Sequence, residues 1–136
     1  MMYMNARDRF YVARRNLMLP YKDGENKSIM RVFHECHYGL QKSGNWKTNT
    51  SIKKKIIELR SIMCIDKIYG GSRDKRWLIR AQSLSFNDKC RLSILVDELE
   101  IWLDKAAQEE TKFPYKRKRK HNIYLDTINI SELQSI

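Results

Sequence analysis

IDKIYGGSRDKRWLIR, residues 65–80, is the stretch on which the fold of this chain turns. Two short runs rich in β-branched and aromatic residues, at 65–69 and 76–80, flank Gly70-Gly71-Ser72-Arg73-Asp74-Lys75. Such side chains suit a pleated surface, and paired glycines suit a reversal of the backbone. The pattern predicts a β-hairpin near 65–80 with a basic tip.

Outward from that stretch the periodicity is helical. Upstream, Ile52, Ile56, Leu59 and Met63 recur at spacings of 4, 3 and 4, which predicts a third helix capped by Thr50 or Ser51. Downstream, Ser85-Phe86-Asn87-Asp88 resembles a capping box and opens the strongest helix, with Leu92, Leu95, Val96, Leu99, Trp102 and Leu103 on one face. A second helix is expected over 28–42, with Ile29, Phe33, Cys36 and Leu40 inward. Ser43-Gly44-Asn45 ends it, and Trp46 plugs the core from the connecting loop. Asn5 is the expected N-cap of a first helix that stops before Pro20 and buries Ala6, Phe10, Ala13 and Leu17. The fold class is therefore mainly α with a small β-hairpin. The compact helical domain is expected over 1–111, and 112–136 form a flexible basic tail and C-terminal segment.

Hydrophobic residues make up 42% and aromatic residues 10% of the 136, enough for a modest core. No run approaches the ~20 apolar residues of a membrane span. The N-terminal MMYMNARDRF has no apolar region of signal-peptide type. Cys36, Cys64 and Cys90 are odd in number and widely spaced, which fits reduced thiols and a cytoplasmic location.

The formal charge of +11 is unevenly spread. Residues 1–85 carry 18 Lys/Arg against 7 Asp/Glu, whereas residues 86–111 carry 3 against 7. A basic body of this kind is suited to a polyanion. Three clusters stand out besides the tail: Arg7, Arg14 and Arg15 beside Tyr11; Lys53, Lys54 and Lys55 near a helix start; and Arg73, Lys75 and Arg76 at the hairpin tip. Lys116, Arg117, Lys118, Arg119 and Lys120 form a run of five cations that repel one another and suit a flexible arm. In a bacterial setting such an arm would place the protein on the nucleoid; in a eukaryotic or viral one it resembles a nuclear-localisation signal.

With those residues in view, the stretch 51–103 resembles winged-helix DNA-binding domains. SIKKKIIELRSI at 51–62 stands where that family places its groove-reading helix. DKIYGGSRDKRWLIR at 66–80 stands where it places the wing. SLSFNDKCRLSILVDELEIWL at 83–103 is similar to the helix through which many bacterial members dimerise. The resemblance implies contact with DNA by the third helix and the hairpin tip, and a homodimer through the helix at 86–108.

Catalytic and metal chemistry find little footing. There is no phosphate-binding glycine loop and no nucleophile elbow, and the Asp-Lys pairs suit turns and caps. His34, Cys36 and His37 carry metal-ligand chemistry, but no second pair completes four ligands, so neither metal nor cofactor is expected. The acids of the long helix (Asp97, Glu98, Glu100, Asp104, Glu109, Glu110) are expected on its outer face or against a partner. Two functions remain: a basic nucleic-acid-binding protein, a DNA-binding regulator of bacterial, phage or plasmid origin with DNA favoured over RNA, or a protein-interaction module whose basic face meets an acidic partner.

Overall fold

A computed structural model describes residues 2–112. Within them the chain is mainly helical, with α1 (Met2–Arg15), α2 (Glu25–Gly39), α3 (Thr50–Ile62), α4 (Arg73–Ser83) and α5 (Phe86–Lys112). A 3-10 turn occupies Ser43–Asn45. The run Lys116–Lys120, and the rest of the expected tail beyond residue 112, lie outside the described residues.

The hairpin expected near 65–80 is replaced by a helix, and no strand occurs among the described residues. Burial explains the difference. A strand would place Trp77 and Ile79 on one face, yet Trp77 is 3% exposed and Ile79 is 40% exposed. Trp77 and Ala81 are both buried, at the i, i+4 interval of a helix, and Leu84 follows at i+7. Ser72 supplies the start signal: its hydroxyl accepts the Lys75 N–H at 3.1 Å. Gly70 and Gly71 keep the turn chemistry read for them, both at positive φ. They lead into a helix instead of joining two strands, so the wing of the winged-helix comparison has no counterpart here.

α1 packs against both α2 and α5, α4 packs on α2, and α3 packs on α5. Phe10, Phe33, Leu59, Leu92, Leu95, Val96, Leu99 and Leu103 are fully buried where these elements meet. The leucine face of α5 is thus buried within one protomer. A Cβ at Gly39 would lie 2.9 Å from the Phe10 ring, so the glycine lets α1 and α2 approach closely.

Caps set the helix starts. Asn49 caps α3 by accepting the Ile52 N–H at 2.9 Å, one residue before the expected cap. Ser85 accepts the Asp88 N–H at 3.1 Å, as the capping-box pattern implied. Asn5 is not a cap, because α1 already runs from Met2. Its first-turn N–H groups at Tyr3 and Met4 are instead met by the Glu110 carboxylate, 3.2–3.3 Å away, from the far end of α5. Trp46, as expected, is a core plug, 6% exposed and in ring contact with Tyr3 and Trp102.

Candidate nucleic-acid interface

Three cationic clusters read from the sequence reach different environments. On α1, Arg7 and Arg14 face α5. Arg7 donates to Asp104 at 3.1 Å and to Asp8 at 3.2 Å, and Arg14 donates to Glu100. Both guanidiniums are held above their ordinary pKa, each chiefly by the hydrogen bond from its α5 carboxylate. Arg15 turns to Tyr11, donating to its hydroxyl at 2.9 Å. The stripe read as a phosphate track is therefore divided, and two of its three cations are neutralised within the fold. The acids of α5 are divided likewise. Glu100 and Asp104 serve α1, Glu110 caps it, and Glu98 lies 3.9 Å from Lys55.

Lys53 and Lys54 project into solvent from the first turn of α3. Lys55 is half-buried and donates to Ser51 at 2.9 Å. Lys75 is exposed on α4. Residues 50–85 hold nine Lys/Arg against three Asp/Glu. Two of those acids are engaged elsewhere, Glu58 by Arg91 and Asp74 by His34.

The arginines at the junction of α2, α3 and α4 have a different kind of partner. Arg60, in the last turn of α3, donates to the Leu40 carbonyl at 3.0 Å and to Ser43 at 2.8 Å. Arg80 donates to the Ile62 carbonyl at 2.8 Å, and the Trp77 indole donates to Met63 at 3.2 Å. These donors meet carbonyls that a helix end leaves without partners, which ties α4 to α3 and α3 to α2. Arg73 donates to Nε2 of His37 at 2.9 Å and lies over the Trp77 ring at 5.8 Å. Nε of Arg76 is buried with no hydrogen-bond partner among the described residues. Within those residues, none of these four arginines pairs with a carboxylate.

His37 sets the chemistry of the junction. Burial first, then the Arg73 and Arg60 guanidiniums and His34, hold its pKa below the ordinary 6.5. A neutral ring that accepts at Nε2 carries its proton on Nδ1. The side chain thus orients Arg73 without adding charge. Together His37, Arg60, Met63, Cys64, Asp66, Arg73, Arg76 and Trp77 line a cleft of about 510 Å³. Such a cleft can hold an anion by charge-assisted hydrogen bonds from planar guanidiniums.

The histidines do not gather with a thiol. Cys36 is fully buried and burial pushes its thiol pKa up, while His34 donates to Asp74 at 3.3 Å at the surface. No group of three His, Cys, Asp or Glu suited to a metal ion occurs among the described residues. All three cysteines are free, and no described helix is long and apolar enough to cross a membrane.

Arg73 and Arg76 were legible in the sequence, though as a hairpin tip. Arg60, Arg80, His37 and Trp77 were not read as parts of a site. For Arg80 the signal was the 3, 4 spacing of Arg73, Arg76 and Arg80, which marks one helical stripe across the supposed turn and strand. No family model matches the chain, and no curated protein or solved structure matches it either.

Proposed function

We propose that this protein binds nucleic acid through the α3–α4 face. The observation that carries the proposal is the set of cations there without carboxylate partners among the described residues. Arg60, Arg73 and Arg76 line a concave cleft, Lys53 and Lys75 stand exposed on the same two helices, and Lys54 opens onto a neighbouring hollow with Glu58 and Glu98. Guanidinium forks beside exposed ammonium groups suit backbone phosphates. No wing is part of the proposal, since α4 begins at Arg73 where the resemblance places one. Base readout is not part of it: phosphate contacts give affinity and register, not sequence preference.

A second reading, an acidic protein partner, is favoured by Tyr69. It is 85% exposed on the loop that leads into α4, and Ile57 is 67% exposed on α3. An exposed aromatic among cations is the composition of an interface anchor.

One experiment separates the two. The full chain is titrated by fluorescence anisotropy against duplex DNA, single-stranded DNA and RNA over a range of salt. Binding that weakens steeply with salt is expected. Replacing Lys53 and Lys54 by Ala should lower the log–log salt slope by about 1 for each phosphate that is no longer neutralised. An unchanged slope removes α3 from the interface. No binding at low salt rejects nucleic acid and directs the search to an acidic protein.

A further inference from the structure

Resting on that nucleic-acid proposal, we infer that the open cleft between α2, α3 and α4 receives the terminal phosphomonoester of a strand, with Arg60, Arg73 and Arg76 as its ligands. The first support is charge. The cleft lining holds three guanidiniums and one carboxylate, Asp66, while neutral His37 contributes none. The excess is two positive charges. A phosphomonoester carries about −1.5 to −2 near neutral pH, and a diester within a strand only about −1. A terminal phosphate therefore matches the pocket where an internal one leaves it half-compensated.

Geometry adds the second support. A terminal phosphate presents three non-bridging oxygens and an internal one only two, so three guanidiniums are better matched by the first. Each guanidinium has donors to give. Arg60 uses Nη2 on Leu40 and Ser43, and Arg73 uses Nη1 on His37. Arg76, whose Nε is buried with no acceptor among the described residues, lines the cleft. Arg73 and Arg76 also lie in the first turn of α4, where the helix dipole favours negative charge.

The walls fit a strand end better than a bare ion. Trp77 and Met63 give the cleft an apolar side, and its volume of about 510 Å³ leaves room for a sugar beside the phosphate. Tyr69, three residues before the Ser72 cap, is placed on the adjoining loop as a stacking surface for the first base.

The test uses the full chain and one short single-stranded oligonucleotide in three forms: 5′-phosphate, 3′-phosphate, and hydroxyl at both ends. A phosphoserine peptide is the fourth probe. One of the phosphorylated strands is expected to bind about tenfold or more tightly than the hydroxyl form, and which one it is identifies the end recognised. Arg73→Gln and Arg76→Gln should each shrink that ratio to within about twofold, with hydroxyl-strand binding through Lys53 and Lys54 much less affected. Arg73 is exposed, so its variant keeps the test valid if the Arg76 variant fails to fold, as circular dichroism would show. Equal affinity for all three strands overturns the pocket and leaves the nucleic-acid proposal standing. Failure of every strand to bind overturns both. Tighter binding of the phosphoserine peptide than of any strand overturns the strand-end assignment.

Discussion

On the α1–α5 face, Arg7 and Arg14 meet Asp104 and Glu100; on the α3–α4 face, Arg60, Arg73 and Arg80 meet carbonyls, a hydroxyl and an imidazole. The side chains are alike, and their counter-groups decide what each face is for. A guanidinium paired with a carboxylate is neutralised and fixes one helix against another. Held by neutral acceptors, it is still positioned, and its charge is left uncompensated. The net charge of +11 therefore says little about location. Along the chain the acids gather instead in α5: residues 50–85 hold nine Lys/Arg against three Asp/Glu, and residues 86–111 hold three against seven.

The largest way to disturb this contrast is to remove the element that creates the second face. Trp77 is buried, its indole donates to Met63, and its ring lies beside His34 and His37. Trp77→Ala should cost about 3–5 kcal/mol, read as a fall in the urea midpoint. A cost below about 1 kcal/mol would mean that α4 is not packed on α2 in this register.

A smaller effect sharpens the contrast directly. Arg14→Gln leaves the Glu100 side chain, 15% exposed, without its cationic partner. A loss of about 1–2 kcal/mol in stability is expected, with nucleic-acid affinity little changed. Arg73→Gln should do the reverse, reducing affinity for the end-phosphorylated strand while stability stays within about 0.5 kcal/mol. If both variants changed affinity equally, the division of the cations into two classes would fail.

The smallest effect concerns pH. Folding lowers the pKa of His37, so the unfolded chain takes up a proton first as pH falls through 6.5. Stability is then lost on acidification from about pH 7 down to the lower folded value, the sign opposite to that of a salt-bridged histidine. The groups that face the ring are Arg73, Arg60 and His34. His37→Gln keeps an acceptor for Arg73 and should remove this component, less than about 1 kcal/mol after solvent screening. Thermal melts at pH 7.5 and 5.5 would show it as a narrower gap between the two midpoints.

Much of the helical frame was legible. The 4, 3, 4 spacing around Ile56, the leucines of α5 and the Ser85 cap are local signals, and each appears in the fold close to where it was read. The stretch 65–80 was misread because its composition favours strand while its burial pattern is helical. With Arg76, Leu78 and Arg80 alternating against Trp77 and Ile79, both periods could be drawn on so short a run. Only the packing of Trp77 and Ala81 on α2 chooses between them.

The sequence by itself determined a basic, mainly helical protein, because composition and 3.6-residue periodicity are properties of the chain. Tertiary structure alone decided which cations are neutralised. Arg14 and Glu100 are 86 residues apart, and so far apart in the chain no local pattern can pair them. His37 and Arg73, separated by 36 residues, meet for the same reason, through the packing of α4 on α2. Electrostatic partnership depends on distance in space, and that distance is set by how the apolar faces of the helices are buried.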